Sequence, residues 1–296
     1  MTAAVTRLAH AGFRGQAVAG LDFSRLLGRL GDDPLSALAQ MPGAELVKTK
    51  DDKGSRVYRL MADVGRGEEE LFVKTFSGAG AFAVLRERMK ESERAKDEPH
   101  HYPVKLLKIL FQPRPARRSF RAAAACGRAG VPVAEHLLWL ARRRGFFREE
   151  LLVTAGANPR SATNAKNYFL HNFPLPCPSG RLAEKRALLE MLGALLRRAQ
   201  DSGLTFPDFK LHNLVLAETG RPEFRVIDLT EVVARRQDEG TFLRRFVPSI
   251  IRPPVFTALD RIRLVRAYLQ AGDDPRRPED LCRQVMGGRR LDEVGR

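Results

Sequence analysis

Cysteine is scarce in this chain. Cys126, Cys177 and Cys282 are the only ones in 296 residues, an odd number at wide spacing that suits neither a disulfide framework nor a zinc site. Long hydrophobic runs are also missing. Nothing approaches the roughly 18 consecutive apolar residues of a membrane span, and the opening MTAAVTRLAHAGFRG lacks the apolar centre of a signal peptide. A reducing, cytoplasmic setting is therefore expected. Acidic residues are in deficit, with 35 Asp plus Glu against 51 Lys plus Arg and a net charge of +16. That balance favours an anionic partner. No aromatic-interleaved basic stripe or nucleic-acid motif accompanies it, so nucleic acid is not expected to be that partner.

What is present is enough apolar residue, 44%, for a sizeable core. Up to residue 43 the pattern reads as a helical, Gly/Ala-rich N-terminal extension. Segments 44–50, 56–63 and 71–76 then read as three strands joined by the polar turns DDKGS and GRGEEE. The charged stretch RERMKESERAKDE reads as a solvated helix or insertion. It precedes an Ala-rich helix over 117–128 and two strands over 136–140 and 150–153. TAGANPRS is turn-rich and reads as a hinge. Beyond it the pattern is helical, with an amphipathic helix over 181–200, short strands over 214–216 and 224–227, and a helix over 259–271. The expected fold is α+β and bilobal. It consists of an extension over 1–43, an antiparallel sheet lobe over 44–155 and a helical lobe over 156–296, with a cleft between the lobes.

The chemistry concentrates in TFPDFKLHN and the following FRVIDLTE. Asp208, Lys210 and Asn213 stand at D-x-K-x-x-N spacing, and Asp228 ends a strand 15 residues past Asn213. Phosphoryl transfer from ATP uses these residue types: a carboxylate that orients the acceptor hydroxyl, and an amide oxygen with a second carboxylate for magnesium. A nearby lysine can balance charge on the transferring group. Lys74 is a lone cation in the apolar strand LFVKTF, and Gly54 is the single glycine of DDKGSR.

This set, in this order, resembles the protein-kinase-like superfamily. The resemblance implies ATP and Mg2+ as cofactors, with Asp208 as catalytic base assisted by Lys210 and with Asn213 and Asp228 as magnesium ligands. Lys74 and Gly54 would act on the nucleotide phosphates. RSFRAAAACGRAGVPVAE, ELLVT, DFKLHNLVL, VIDLTEV and LDRIRLVRAYL, within roughly residues 70 to 270, resemble the lipopolysaccharide Kdo/heptose kinase family. That likeness implies phosphorylation of a sugar hydroxyl of the lipopolysaccharide inner core, an anionic glycolipid, at the inner face of the cytoplasmic membrane. A different small-molecule or protein acceptor, and a kinase-like scaffold without turnover, are the alternatives. Oligomeric state is not legible.

Several departures stand out. Phe206-Pro207-Asp208 replaces His-Arg-Asp, Asp228-Leu229-Thr230 replaces Asp-Phe-Gly, and no Ala-Pro-Glu segment follows. The helix RRSFRAAAACGRAG has no acidic residue to pair with Lys74, whereas Glu87, Glu91 and Glu93 lie in the solvated stretch before it. A G-x-G-x-x-A match over 78–83 reads as a turn after a strand rather than a dinucleotide fingerprint. His212 is expected to pack beneath the loop, Trp139 in a core, and Arg142 to Arg144 at a hairpin tip.

Overall fold

The computed structural model describes residues 4–50, 54–83, 86–87, 115–156, 164–217, 222–246, 249 and 253–281. The chain divides into two compact units, one formed by residues 2–121 and 135–159, the other by 122–134 and 160–296.

The first unit is built on a seven-stranded antiparallel sheet in the order β1-β2-β6-β7-β5-β4-β3. Its strands are β1 (Val5–His10), β2 (Phe13–Val18), β3 (Glu45–Lys50), β4 (Ser55–Asp63), β5 (Glu68–Ser77), β6 (His136–Arg144) and β7 (Phe147–Ala155). The five strands anticipated in 44–155 are all present. The N-terminal segment differs from its helical expectation: β1 and β2 form a hairpin whose second strand pairs with β6, so the extension enlarges the sheet. Two short helices follow, α1 (Ser24–Leu30) and α2 (Pro34–Gln40).

Strand alternation sends residues to two faces. Leu71 and Val73 of β5 and Leu151 and Val153 of β7 join Leu26, Leu27, Leu30 and Leu38 of the two helices in one buried cluster. Each such side chain contributes about 1.5–3 kcal/mol when fully buried. The opposite face carries a smaller cluster, in which Trp139 of β6 and Leu152 of β7 meet Ala116 and Phe120. Those last two residues belong to α3 (Pro115–Arg128), whose later residues Ala122 and Cys126 belong to the core of the second unit. Trp139 is a core residue, as expected. Arg142 is held inside the β6–β7 hairpin rather than at its tip, by Glu149 Oε2 at 2.6 Å and the carbonyl of Asp32 at 2.7 Å.

The second unit is helical, with α4 (Ala165–Asn172), α5 (Leu182–Asp201), α6 (Glu239–Phe246) and α7 (Ala258–Gln270). A hairpin of β8 (Leu214–Ala217) and β9 (Glu223–Val226) completes it. Leu188, Leu189, Leu192, Leu195 and Leu196 of α5 are buried, as their helical spacing requires. The α5–α7 crossing is close. A Cβ on Gly193 would stand 2.6 Å from Ala267 Cβ and 2.7 Å from the Leu264 carbonyl oxygen. Beside it, Lys185 Nζ donates to Asp260 Oδ2 at 2.7 Å and to the Val255 carbonyl, while Asp260 also closes a capping box with Thr257 at the start of α7. Thr154 and Ala155, from the turn-rich segment read as a hinge, end β7, whereas the rest of that segment beyond Gly156, the C-terminal tail and most of the charged stretch fall outside the described residues.

Candidate functional site

The segment from Thr205 to Asn213 is laid down by an alternation of anchors and exposed groups. Phe206, Phe209, Leu211 and Asn213 are buried, whereas Asp208 and His212 are exposed. Phe206 packs edge-on against Phe209 at 5.5 Å, and Phe209 against Phe242 and Phe246 of α6 at 5.3 and 5.9 Å. Aromatic pairs of this geometry fix ring orientation as well as burying area. At the entrance, Thr205 and Val233 exchange backbone hydrogen bonds of 2.9 and 3.2 Å. The Phe206 amide donates to Gln237 Oε1 at 3.1 Å. The loop is thereby tied to the chain that follows Asp228. Phe206 anchors the loop by apolar burial.

Asp208 is held at both oxygens. Lys210 Nζ lies 2.6 Å from Oδ1, and Asn213 Nδ2 donates to Oδ2 at 2.8 Å and to the Asp208 carbonyl at 2.8 Å. With Nδ2 committed to Asp208, the remaining polar atom of the Asn213 side chain is the oxygen Oδ1, the atom a metal ion takes. Asp208 and Lys210 side chains are 43% and 42% exposed, so the pair stays within reach of a substrate and is screened by water.

Asn213 closes a 3-10 turn over Leu211–Asn213 and leads into β8. Its carbonyl accepts from the Ile227 amide at 3.0 Å, and Leu214 pairs with Val226. This brings Asp228 to the strand end next to Asn213. Leu229 is fully buried and Thr230 Oγ1 donates to Asp228 Oδ1 at 2.9 Å, so the aspartate is fixed from its own turn. Sequence reasoning put Asp208, Lys210, Asn213 and Asp228 together, and the second unit does bring them together. His212 is exposed rather than packed beneath the loop, because Leu211 and Asn213 on either side take the inward positions.

Among the described residues no group of three His, Cys, Asp or Glu side chains could hold a metal ion. One amide oxygen and one carboxylate are too few for a protein cage. They suit magnesium, which keeps most of its octahedral shell for water and substrate phosphates. The donor set fits that ion.

Lys74 and Gly54 belong to the sheet unit and are described within it. Lys74 lies on β5 opposite Val57 and Leu152, half-buried, with its ammonium 5.2 Å from the Phe76 ring centroid. By alternation it faces the side of the sheet where α3 packs. That helix carries no acidic residue, and a carboxylate on the same face of the sheet stands on β7. Glu150 pairs with Phe76, two residues along from Leu152 on the same face, and is 1% exposed. Its Oε2 accepts the Ala116 amide at 2.8 Å, at the start of α3. Sequence reasoning did not single out Glu150, because it looked for a carboxylate on the helix. The available signal was an acid two residues before Leu152, directly ahead of the apolar run Leu151–Val153. Gly54 has φ +53, and a Cβ there would stand 2.1 Å from the Ser77 carbonyl oxygen. Its amino-acid type is thus required by close backbone approach at the β3–β4 turn.

Against known proteins, no family model matches the chain, and no curated protein matches it by sequence. Solved structures do match. The structure of WaaP in complex with acyl carrier protein aligns with a TM-score of 0.57 and 17% identity, over 93% of this chain and 98% of that one. The kinase domain of Mycobacterium tuberculosis PknI gives 0.40 and 16%, over 84% and 97%. The ROP18 kinase domain in complex with AMP-PNP and sucrose gives 0.39 and 15%, over 84% and 73%. The likeness to WaaP is one of fold, and the chain has the α+β, protein-kinase-like fold, with an antiparallel sheet unit and a helical unit.

Proposed function

We propose that the protein is a phosphotransferase that uses ATP and magnesium to phosphorylate a hydroxyl of an anionic sugar, most simply one in the lipopolysaccharide inner core. The observation that carries this is Asp208: an exposed carboxylate oriented by Asn213 and Lys210, with Asp228 fixed on the adjoining strand end, in a chain that shares the WaaP fold. In this reading Asp208 accepts the hydroxyl proton as the acceptor oxygen attacks. Lys210 balances negative charge near Asp208, and Asn213 Oδ1 with Asp228 would hold the metal. Lys74 would contact the nucleotide phosphates, oriented by Glu150, and Gly54 would lie in the turn nearest them. Magnesium, when bound, supplies charge neutralisation across the phosphates. The net charge of +16 suits an acceptor held at an anionic membrane surface. No helix among the described residues is long and apolar enough to cross a membrane.

A thermal-shift titration with magnesium and ATP tests the nucleotide half. A ligand at 100 times its dissociation constant stabilises the native state by about 2.7 kcal/mol, and Asp228→Asn should reduce the magnesium-dependent part. Absence of any shift at millimolar ATP would sink the mechanism and promote a scaffold role. Asp208→Asn should keep the ATP shift and lose transfer to acceptor. Outer-membrane sensitivity after gene deletion would favour the lipopolysaccharide acceptor over another small molecule or a protein.

A further inference from the structure

The sheet unit carries a concavity lined by none of the residues assigned above to phosphoryl transfer. Its volume is about 680 Å³, and six of its lining residues are arginines while none is acidic. It lies over the strands that the N-terminal hairpin adds to the sheet. Arg7 comes from β1, Arg14 from β2, Arg143 from β6, Arg148 from β7 and Arg117 from α3. Trp139 contributes a wall, with the Arg117 guanidinium 5.7 Å from its ring centroid and its Nε1 donating to Gln16 Oε1 at 3.3 Å.

The sixth arginine, Arg142, is committed to Glu149 and Asp33 and to the Phe13 ring. Arg7, Arg14, Arg143 and Arg148 make no ion pair among the described residues. Arg143 and Arg148 even stand directly opposite one another in the β6–β7 ladder, where like charges are destabilising. Arg14 is opposite Ala141, two residues from Arg143 along β6. Guanidinium forks converging from several strands match the tetrahedral oxygens of phosphate. The concavity has the volume of a small-molecule site, whereas a protein partner covers a face of about 800 Å².

We propose that this trough binds the phosphate groups, mono- or diphosphate, of an anionic ligand. The site shares no residue with the Asp208 loop, and the proposal stands whether or not the protein transfers phosphate.

The test uses the full-length chain in EDTA, titrated calorimetrically with inorganic pyrophosphate, as wild type and as the Arg14→Gln/Arg143→Gln/Arg148→Gln variant. Wild type should bind and the triple variant should bind at least tenfold more weakly, with its melting temperature no lower than wild type. Should the triple variant fail to fold, Arg7→Gln/Arg14→Gln on the outer hairpin carries the same comparison. Flotation with phosphatidylcholine vesicles, with and without phosphatidylglycerol, identifies the source. Flotation that requires phosphatidylglycerol and is reversed by pyrophosphate indicates a lipid headgroup. Pyrophosphate binding without flotation indicates a soluble phosphorylated ligand. Equal pyrophosphate binding by wild type and variant, or none by wild type at millimolar concentration, overturns the proposal. So does a polyglutamate peptide that binds the trough more tightly than pyrophosphate, which would make it a face for an acidic protein.

Discussion

Replacing Lys185 with methionine keeps the reach of the side chain and removes its charge, leaving Asp260 without its closest cation. The Lys185 and Asp260 side chains are only 2% and 10% exposed and lie 2.7 Å apart. Removing one partner of a buried pair costs about 3–5 kcal/mol, mostly because the other charge is left uncompensated. Asp260 would still accept the Thr257 amide at 3.0 Å and face Arg263 at 3.7 Å, which puts the expected loss near the low end, about 3 kcal/mol. Adding Asp260→Asn removes the stranded charge while leaving an oxygen to cap α7, and should recover all but about 1 kcal/mol. Urea unfolding followed by far-ultraviolet circular dichroism measures both. The pH dependence sharpens the comparison. In the wild type burial pushes the Asp260 carboxyl up, but hydrogen bonds from Lys185 and Thr257 outweigh it and hold the group below its ordinary value. Its contribution is therefore complete above an unfolded pKa of about 3.9 and fades as pH falls through the lower folded value. In Lys185→Met burial is no longer opposed by the lysine, the folded pKa rises, and protonation relieves the strain as pH falls from 7 towards 4. The gap between wild type and variant should narrow over that range. A double variant no more stable than the single, or a gap constant with pH, would refute this account of the pair.

Gly193→Ala should destabilise the helical unit by about 1–3 kcal/mol, because the added methyl meets Ala267 and the α7 backbone within 2.8 Å; a melting temperature equal to wild type would contradict the crossing. Arg276 holds the Asp274 carboxyl down at about 2, so its stabilisation is present above the unfolded value near about 3.9 and lost as pH falls through about 2. The stability difference between wild type and Asp274→Asn should be constant above pH 5 and vanish in that acid range, as read from acid-unfolding curves. Burial pushes the Cys126 thiol up to about 12, and in a Cys177→Ser/Cys282→Ser background it should resist a disulfide reagent at about pH 8 until denaturant is added.

The Asp208 loop was legible because its physics is local. Phe206, Phe209 and Leu211 announce the anchors, and the polar residues between them can only face outward or bond one another. Lys74 was legible for the same reason, as a cation where the strand wanted an apolar residue. The N-terminal hairpin was not. Its turn is Ala11-Gly12, with φ of 48° and 76°. His10 pairs with Phe13 across it, so both central residues are left-handed, a turn for which Asn-Gly would have been the readable signal. VTRLAH is largely exposed on one sheet edge, so burial imposes little alternation on its composition. Gly54 was read through phosphate binding, yet the contact that demands a glycine there is the Ser77 carbonyl. Glu150 was invisible to sequence reasoning because its place on the same sheet face as Lys74 follows from a β-ladder that only the sheet order reveals.

The pairing of β2 with β6 also sets an order of events. The Gln16–Trp139 hydrogen bond joins residues 123 apart, so a hairpin finished early in synthesis has no sheet to join until β6 has been made. Such a long closure carries an entropic cost that must be met before the contact is gained, and topologies of this kind fold slowly. Until then β2 presents an unpaired edge, and its Arg14 and the neighbouring Arg7 place charge beside that edge on the nascent chain. The same arginines that line the trough would thus discourage premature strand pairing, and the fluorescence of the single tryptophan, seated at the β2–β6 seam, would report the moment the seam closes.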